Sequence, residues 1–350
     1  MHPVFIQDFD SIIAASAERL KRFAGSTILI TGAGGFIGSY LVDLFAYCND
    51  FLFAEKCDVI GEDDFSVGGR ERLRHLEGRK DVEILHRDIA ESPLRRGLPR
   101  IDWIVNCASI ASPAVYRTRP LDTMRVNAVG MWNALQLARE KGVKGFLQMS
   151  SSEVYGNASI VPTPENYVGT IQPLGPRSCY DVSKLFGETL CHLYHQERGV
   201  PVKIARPFNI YGIGAANDGR IIPALMAAVV EDKEFVVHGS GTATRSYCYV
   251  SDAVIQLLAV LVDGISGEAY NVGNDEEDLS VIRVVRLAQE LFDGRPRMAD
   301  DLTPVLTRDQ PGRRKPDIRK VVDLCGWRPG ISLRGGLMRV HESMKPEAIG

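Results

Sequence analysis

The chain has no CxxC pair, no long unbroken apolar run, no internal repeat or low-complexity tract, and almost no net charge. Each absence excludes something. Its seven cysteines, Cys48, Cys57, Cys107, Cys179, Cys191, Cys248 and Cys325, are odd in number and scattered through apolar stretches. That argues against a disulfide framework and for thiols packed as small hydrophobes in a reducing cytoplasm. Forty-one basic residues against 44 acidic ones give a formal charge of −3, which supplies no electrostatic footprint for nucleic acid or an anionic membrane. The longest central apolar run, residues 253–262, contains Gln256 and is too short to cross a bilayer. The first 24 residues carry Asp8, Asp10 and Glu18 and lack the basic head and small-residue cleavage site of a secretory leader. His192 and His195 stand three apart with no third ligand in view, so no metal site is expected. What remains is a globular composition, 45% hydrophobic and 24% charged over 350 residues, with room for a sizeable core and a small-molecule partner.

Ile13, Ala17, Leu20 and Ala24 recur at helical spacing and predict an amphipathic helix over 8–24, within an N-terminal segment 1–25. Short apolar runs then alternate with longer amphipathic stretches, the pattern of an α/β fold with a doubly wound parallel sheet. The runs predict strands at 27–31, 57–61, 82–86, 102–107, 145–150, 202–206 and 269–272, and helices near 36–48, 70–77, 119–141, 178–198 and 251–263. The main domain is read as 26–208 with a return at 240–274. A smaller, discontinuous C-terminal substrate-binding lobe is read from 209–239 and 275–350.

The strand Thr27-Ile28-Leu29-Ile30-Thr31 runs into Gly32-Ala33-Gly34-Gly35-Phe36-Ile37-Gly38 and a helix. In that context Gly32 permits a tight turn, Gly35 lets backbone approach a pyrophosphate at the helix N-terminus, and Gly38 lets helix and strand pack closely. A second strand ends in Glu62-Asp63-Asp64, where an acid accepts from the adenine ribose hydroxyls. An acid there repels a 2′-phosphate and favours NAD over NADP, although Arg70 and Arg72 lie nearby. Asp88 and Ile89, after the third strand, then sit beside the adenine.

Tyr180 and Lys184 fall on one helical face, and a phenol with an ordinary pKa near 10 needs such a cation to act as a base at neutral pH. Another strand delivers Ser150-Ser151-Ser152-Glu153 to the end of the sheet where ligands bind. Together with Asn106-Cys107-Ala108-Ser109, Asn127, the run Arg206 to Gly212, the run Thr244 to Asp252, and Asn271-Val272-Gly273, these motifs resemble the extended short-chain dehydrogenase/reductase family of nucleotide-sugar enzymes, from the Gly triplet to about residue 335. The resemblance implies a Rossmann sheet, NAD as cofactor, a UDP-sugar or related substrate, and a homodimer. It implies that Ser151, Tyr180 and Lys184 form the oxidoreductase triad. Cys107, Ala108, Ser109, Asn127, Tyr180 and Lys184 then lie beside the cofactor, and Asn209 and Arg245 at the substrate pyrophosphate.

Within the family, Ser152-Glu153 resembles UDP-glucuronate decarboxylases, where a 4,6-dehydratase shows an Asp-Glu pair and simple 4-epimerases usually lack the carboxylate. The segments Ala108 to Tyr116 and Gly175 to Asp181 are similar to the same enzymes, placing Tyr116 at the sugar. Arg313-Arg314-Lys315-Pro316-Asp317-Ile318 matches their arginine-bearing motif, so Arg314 is assigned to the sugar carboxylate and Arg313 to a basic loop. The chain departs from them in Val182-Ser183, which is closer to epimerases and to the bacterial lipid A decarboxylase. Decarboxylation of UDP-glucuronate to UDP-xylose or its 4-keto pentose is the favoured expectation. Epimerisation, dehydration and a binding protein without turnover are the alternatives.

Overall fold

The computed structural model describes residues 1–91, 100–238, 240–301 and 312–345. Parts of the expected C-terminal lobe, at 302–311 and 346–350, lie outside these. Chain order begins with helix α1 (Pro3–Leu20), strand β1 (Thr27–Thr31), α2 (Phe36–Phe51), β2 (Asp58–Asp63), β3 (Val82–His86) and β4 (Trp103–Asn106). It continues with α3 (Pro113–Tyr116), α4 (Pro120–Arg125), α5 (Met131–Lys141), β5 (Gly145–Met149), α6 (Ser178–Arg198), β6 (Val202–Pro207), β7 (Ile210–Tyr211) and α7 (Ile221–Val230). Then come β8 (Phe235–His238), β9 (Thr244–Arg245), β10 (Cys248–Tyr249), α8 (Val250–Asp263), β11 (Ala269–Val272), β12 (Leu279–Ser280), α9 (Val281–Leu291), β13 (Met298–Asp301), β14 (Arg313–Arg314), α10 (Arg319–Cys325) and α11 (Leu333–Met344).

Seven strands form one parallel sheet in the order β11-β6-β5-β4-β1-β2-β3. All seven coincide with the runs read from sequence to within two residues at either end. Central strands of such a sheet are covered on both faces, so they read as short, mostly apolar runs: every residue of β1 and β5 is buried, while the edge strand β3 is only partly so. The order reverses between β1 and β4, which opens a crevice at their C-terminal ends. Beyond the sheet, β9 lies between β12 and β14, and β7 pairs with β10. The β9–β14 pairing sets Arg245 against Arg314, side by side across 69 positions of sequence separation.

Three helix expectations are corrected. The first helix begins at Pro3, which sits at a helix start where its missing N–H costs nothing, with the His2 ring accepting from the Val4 N–H at 3.3 Å. It leaves helical geometry at buried Ser16 and closes in a tight turn over Lys21–Phe23. The segment 70–77 forms a 3-10 turn, Arg70–Leu76, in place of an α-helix. The long helix expected over 119–141 is split by a π-turn, Val126–Gly130, between α4 and α5. Such an inserted residue shifts the helical phase and lets Asn127 face α6.

Candidate active site

The first cleft lies over the glycine loop. Gly32 holds φ +68°, a conformation L side chains rarely adopt, and a Cβ there would press to 2.7 Å from the Ala108 nitrogen. A Cβ on Gly38 would run into the Gly32 carbonyl. Gly35 precedes Phe36, the first residue of α2, so the N–H groups of that helix start face the crevice. Thr31 donates its hydroxyl to Asn106 (2.6 Å) and Asn106 donates to Gln148 (2.7 Å), which locks the ends of β1, β4 and β5 together. Asp63, at the end of β2, accepts from the N–H groups of Gly34 (2.9 Å) and Phe65 (2.6 Å). Burial raises its carboxyl above the ordinary value, and those two N–H donors oppose the rise.

Gly32, Gly35, Phe36, Asp63, Asp64, Asp88 and Ile89 line this cleft, as do Cys107, Ala108 and Ser109 opposite them. Ile37 and Gly38 border the adjoining cleft. Arg72 also reaches the first cleft, while Arg70 is exposed and is not part of its wall. Asn127 lies in the π-turn, next to Val126 of the first cleft's wall. It lines neither cleft, because the π-turn directs its amide to the Ser183 hydroxyl at 2.9 Å. It steadies the tyrosine helix from behind. The cleft suits a dinucleotide on its own features: a cradle that any Cβ would fill, a helix N-terminus, an acid at the end of β2, and the buried Ser109 hydroxyl, which has no hydrogen-bond partner.

The adjoining cleft holds Ser151, Ser152, Glu153, Tyr180 and Lys184. Its geometry comes from β5 and α6. Ser151 caps the turn after β5, accepting from the Glu153 N–H at 3.2 Å, and its hydroxyl faces the Tyr180 phenol and opposes the rise that burial causes there. Lys184, one turn along α6, donates to the Met149 carbonyl at 2.8 Å and lies 5.6 Å from the centre of the Tyr180 ring. Burial pushes the Lys184 ammonium down to about 8. Burial also pushes the Tyr180 phenol up. Tyr116 stacks on Tyr180, with ring centres 5.2 Å apart and planes within 11°. Glu188, one turn beyond Lys184, accepts from Ser150 (2.5 Å) and from both ends of the Arg206 fork (2.9 and 2.6 Å), tying α6 to β5 and β6.

Glu153 is the charged centre of the site. Arg314 donates to both of its oxygens, at 2.6 and 2.7 Å, and Arg177 pairs with it from the start of α6. Burial pushes the Glu153 carboxyl up, but the two guanidiniums outweigh it and hold the group below its usual value. Arg245 stands next to Arg314 in a third cleft shared with Asn209, Tyr116, Glu153 and Arg314, and burial brings it down to about 10. Arg313 pairs instead with the half-buried Asp278, at 2.6 Å, and is itself exposed. Two site arginines went unassigned in the sequence. Arg177 stands three residues before Tyr180, a helical spacing that signals a shared face. Arg220 alone among the described residues borders all three clefts, and no local pattern announces it.

The model of the NAD dependent epimerase/dehydratase family matches residues 28–273. UDP-glucuronic acid decarboxylase 5 of Arabidopsis thaliana is 37% identical over 333 residues, which cover 94% of this chain and 93% of that protein. Among solved structures, an epimerase from Methanothermobacter thermautotrophicus superposes with a TM-score of 0.83 at 25% identity over 95% of both chains. The UDP-glucuronic acid 4-epimerase of Bacillus cereus, in complex with UDP-glucuronic acid and NAD, gives 0.78 at 26% identity, covering 91% of this chain and 98% of that one. With the matched residues running from β1 through β11, the chain belongs to the NAD dependent epimerase/dehydratase family.

Proposed function

We propose that the protein decarboxylates UDP-glucuronate by transient oxidation at C4 of the sugar. The observation that carries this reading is the Glu153 carboxylate held by Arg314 and Arg177 beside the Tyr180 and Ser151 hydroxyls. Gly32, Gly35 and Asp63 would hold NAD, which supplies the hydride acceptor; returning the hydride gives UDP-xylose, and keeping it as NADH gives the 4-keto pentose. Tyr180 takes the proton of the C4 hydroxyl, Ser151 holds that oxygen, and the Lys184 ammonium favours the phenolate. A carboxylate on C5 is then β to a ketone. As the bond to the carboxyl carbon breaks, its electron pair moves to the C4 oxygen, where the Tyr180 and Ser151 hydroxyls stabilise the enolate. Carbon dioxide leaves, and a proton is delivered to C5. Arg314 and Arg177 orient the acid, and Asn209 and Arg245 hold the pyrophosphate of the nucleotide. Dehydration needs a second acid where Ser152 stands, and that residue supplies none.

Incubation of the protein with UDP-glucuronate and NAD is expected to release carbon dioxide, with UDP-xylose or its 4-keto pentose as product. An epimerised uronate formed without carbon dioxide overturns the reading.

The same surface physics supports a homodimer. Leu121, Met124, Val129 and Trp132 on the α4–α5 ridge, with Leu185, Phe186 and Leu193 on α6, expose apolar side chains on neighbouring helices. Trp132 packs edge-on against Tyr194 of α6, which joins the two ridges into one patch. A second copy presenting the same patch buries it symmetrically. Phe186→Asp is expected to shift the protein from dimer to monomer in light scattering, and an unchanged mass overturns the assignment. All seven cysteines are unpaired, which fits a cytoplasmic protein. Among the described residues no helix is long and apolar enough to cross a membrane.

A further inference from the structure

Asp181 has no part in the chemistry above, yet it is enclosed with the charges that do. It follows Tyr180 in α6 and stands four residues after Arg177, on the same side of the helix start. Its side chain is 15% exposed. The Oδ1 atom is sealed from water without a hydrogen-bond partner, and it lies 3.7 Å from Arg177 Nη2. That same nitrogen pairs with Glu153. One guanidinium nitrogen therefore faces two carboxylates. The other groups turned toward the cluster are Arg314 from β14, Tyr116 from α3 and Tyr180 from α6 itself. With Asp181 ionised, two carboxylates balance Arg177 and Arg314. With Asp181 protonated, Arg177 is committed to Glu153 and one positive charge is left over.

We propose that Asp181 is a positioning residue that competes with Glu153 for Arg177 and thereby sets the charge presented to the acid group of the sugar. The proposal rests on the uronate reading above. Burial, then the neighbouring Glu153, brings the Asp181 carboxyl up to about 7, with Arg177 and Arg314 opposing, so the exchange falls within the working range of a cytoplasmic enzyme. An anionic sugar then binds best while Asp181 carries its proton. A sugar without a carboxylate is indifferent.

Calorimetric titration of the NAD-loaded protein at about pH 6 and about pH 8.5, with UDP-glucuronate and with UDP-glucose, separates these outcomes. For the wild type, UDP-glucuronate is expected to bind about tenfold more weakly at the higher pH, the order of effect of one nearby charge in a partly screened site, while UDP-glucose stays constant. Asp181→Asn is expected to remove the slope and keep the tighter, low-pH affinity throughout, and Asp181→Glu to restore a slope. The wild-type slope needs no variant to fold. Binding of UDP-glucuronate that is flat with pH in the wild type, or a slope that persists in Asp181→Asn, overturns the proposal and leaves the substrate reading standing. Failure of UDP-glucuronate to bind at either pH overturns both.

Discussion

Tyr180→Phe is expected to lower turnover of UDP-glucuronate by roughly 10³-fold while NAD binding persists, because the substitution removes one oxygen and leaves the ring in place. The ring does structural work: it stacks on Tyr116 in a buried cluster with Ile110 and Cys179. The oxygen does the chemistry, since it faces Ser151 and has Lys184 within one helical turn. Nothing on the dinucleotide cradle depends on it, as Gly32, Asp63 and Ser109 belong to other elements. Stopped-flow absorbance at the reduced cofactor's band reads the chemistry, and equilibrium dialysis with NAD reads the binding. A variant that keeps wild-type rates removes the phenol from the mechanism.

Glu153→Ala is expected to be costly twice over. The carboxylate separates two guanidiniums, and without it Arg177 and Arg314 face each other in a site where both side chains are nearly sealed, 11% and 12% exposed. Breaking a buried pair from one side costs about 3–5 kcal/mol of stability, so the thermal midpoint falls clearly. Carbon dioxide release falls with it, because the arginine that orients the sugar acid loses its anchor. Arg313→Ala is the matched control: the Arg313 side chain is itself exposed and makes one ion pair, to the half-buried Asp278, so a change of no more than about 1 kcal/mol is expected. If the two variants prove equally stable and equally active, the Glu153 cluster is not the organising feature of the site.

Much of this architecture was legible before any coordinates. A strand buried on both faces is mostly apolar, its few polar side chains paired, so β1 and β5 declared themselves between glycine and proline punctuation. The glycine loop was legible for a related reason: Gly32 and Gly38 stand where no Cβ fits, and such positions tolerate little else. The helix failures also have a cause. Periodicity of 3.6 residues persists on both sides of the π-turn at 126–130, so one inserted residue is invisible in the pattern although it brings Asn127 onto Ser183. Pro3 and His2 start α1 through a cap whose signal is one residue wide.

By itself the sequence determined the sheet, the cradle and the Tyr180–Lys184 pair, because each depends on residues close together in the chain or on one strand's burial. Only the tertiary structure decided the charge arrangement. Arg314 and Arg245 become neighbours through the pairing of β9 with β14, Arg177 reaches Glu153 across the cleft, and Asp181 is drawn in with them. The first two of those contacts join residues far apart in the chain, and whether a carboxylate there is paired, shared or protonated depends on distance and dielectric, which spacing along a chain does not encode.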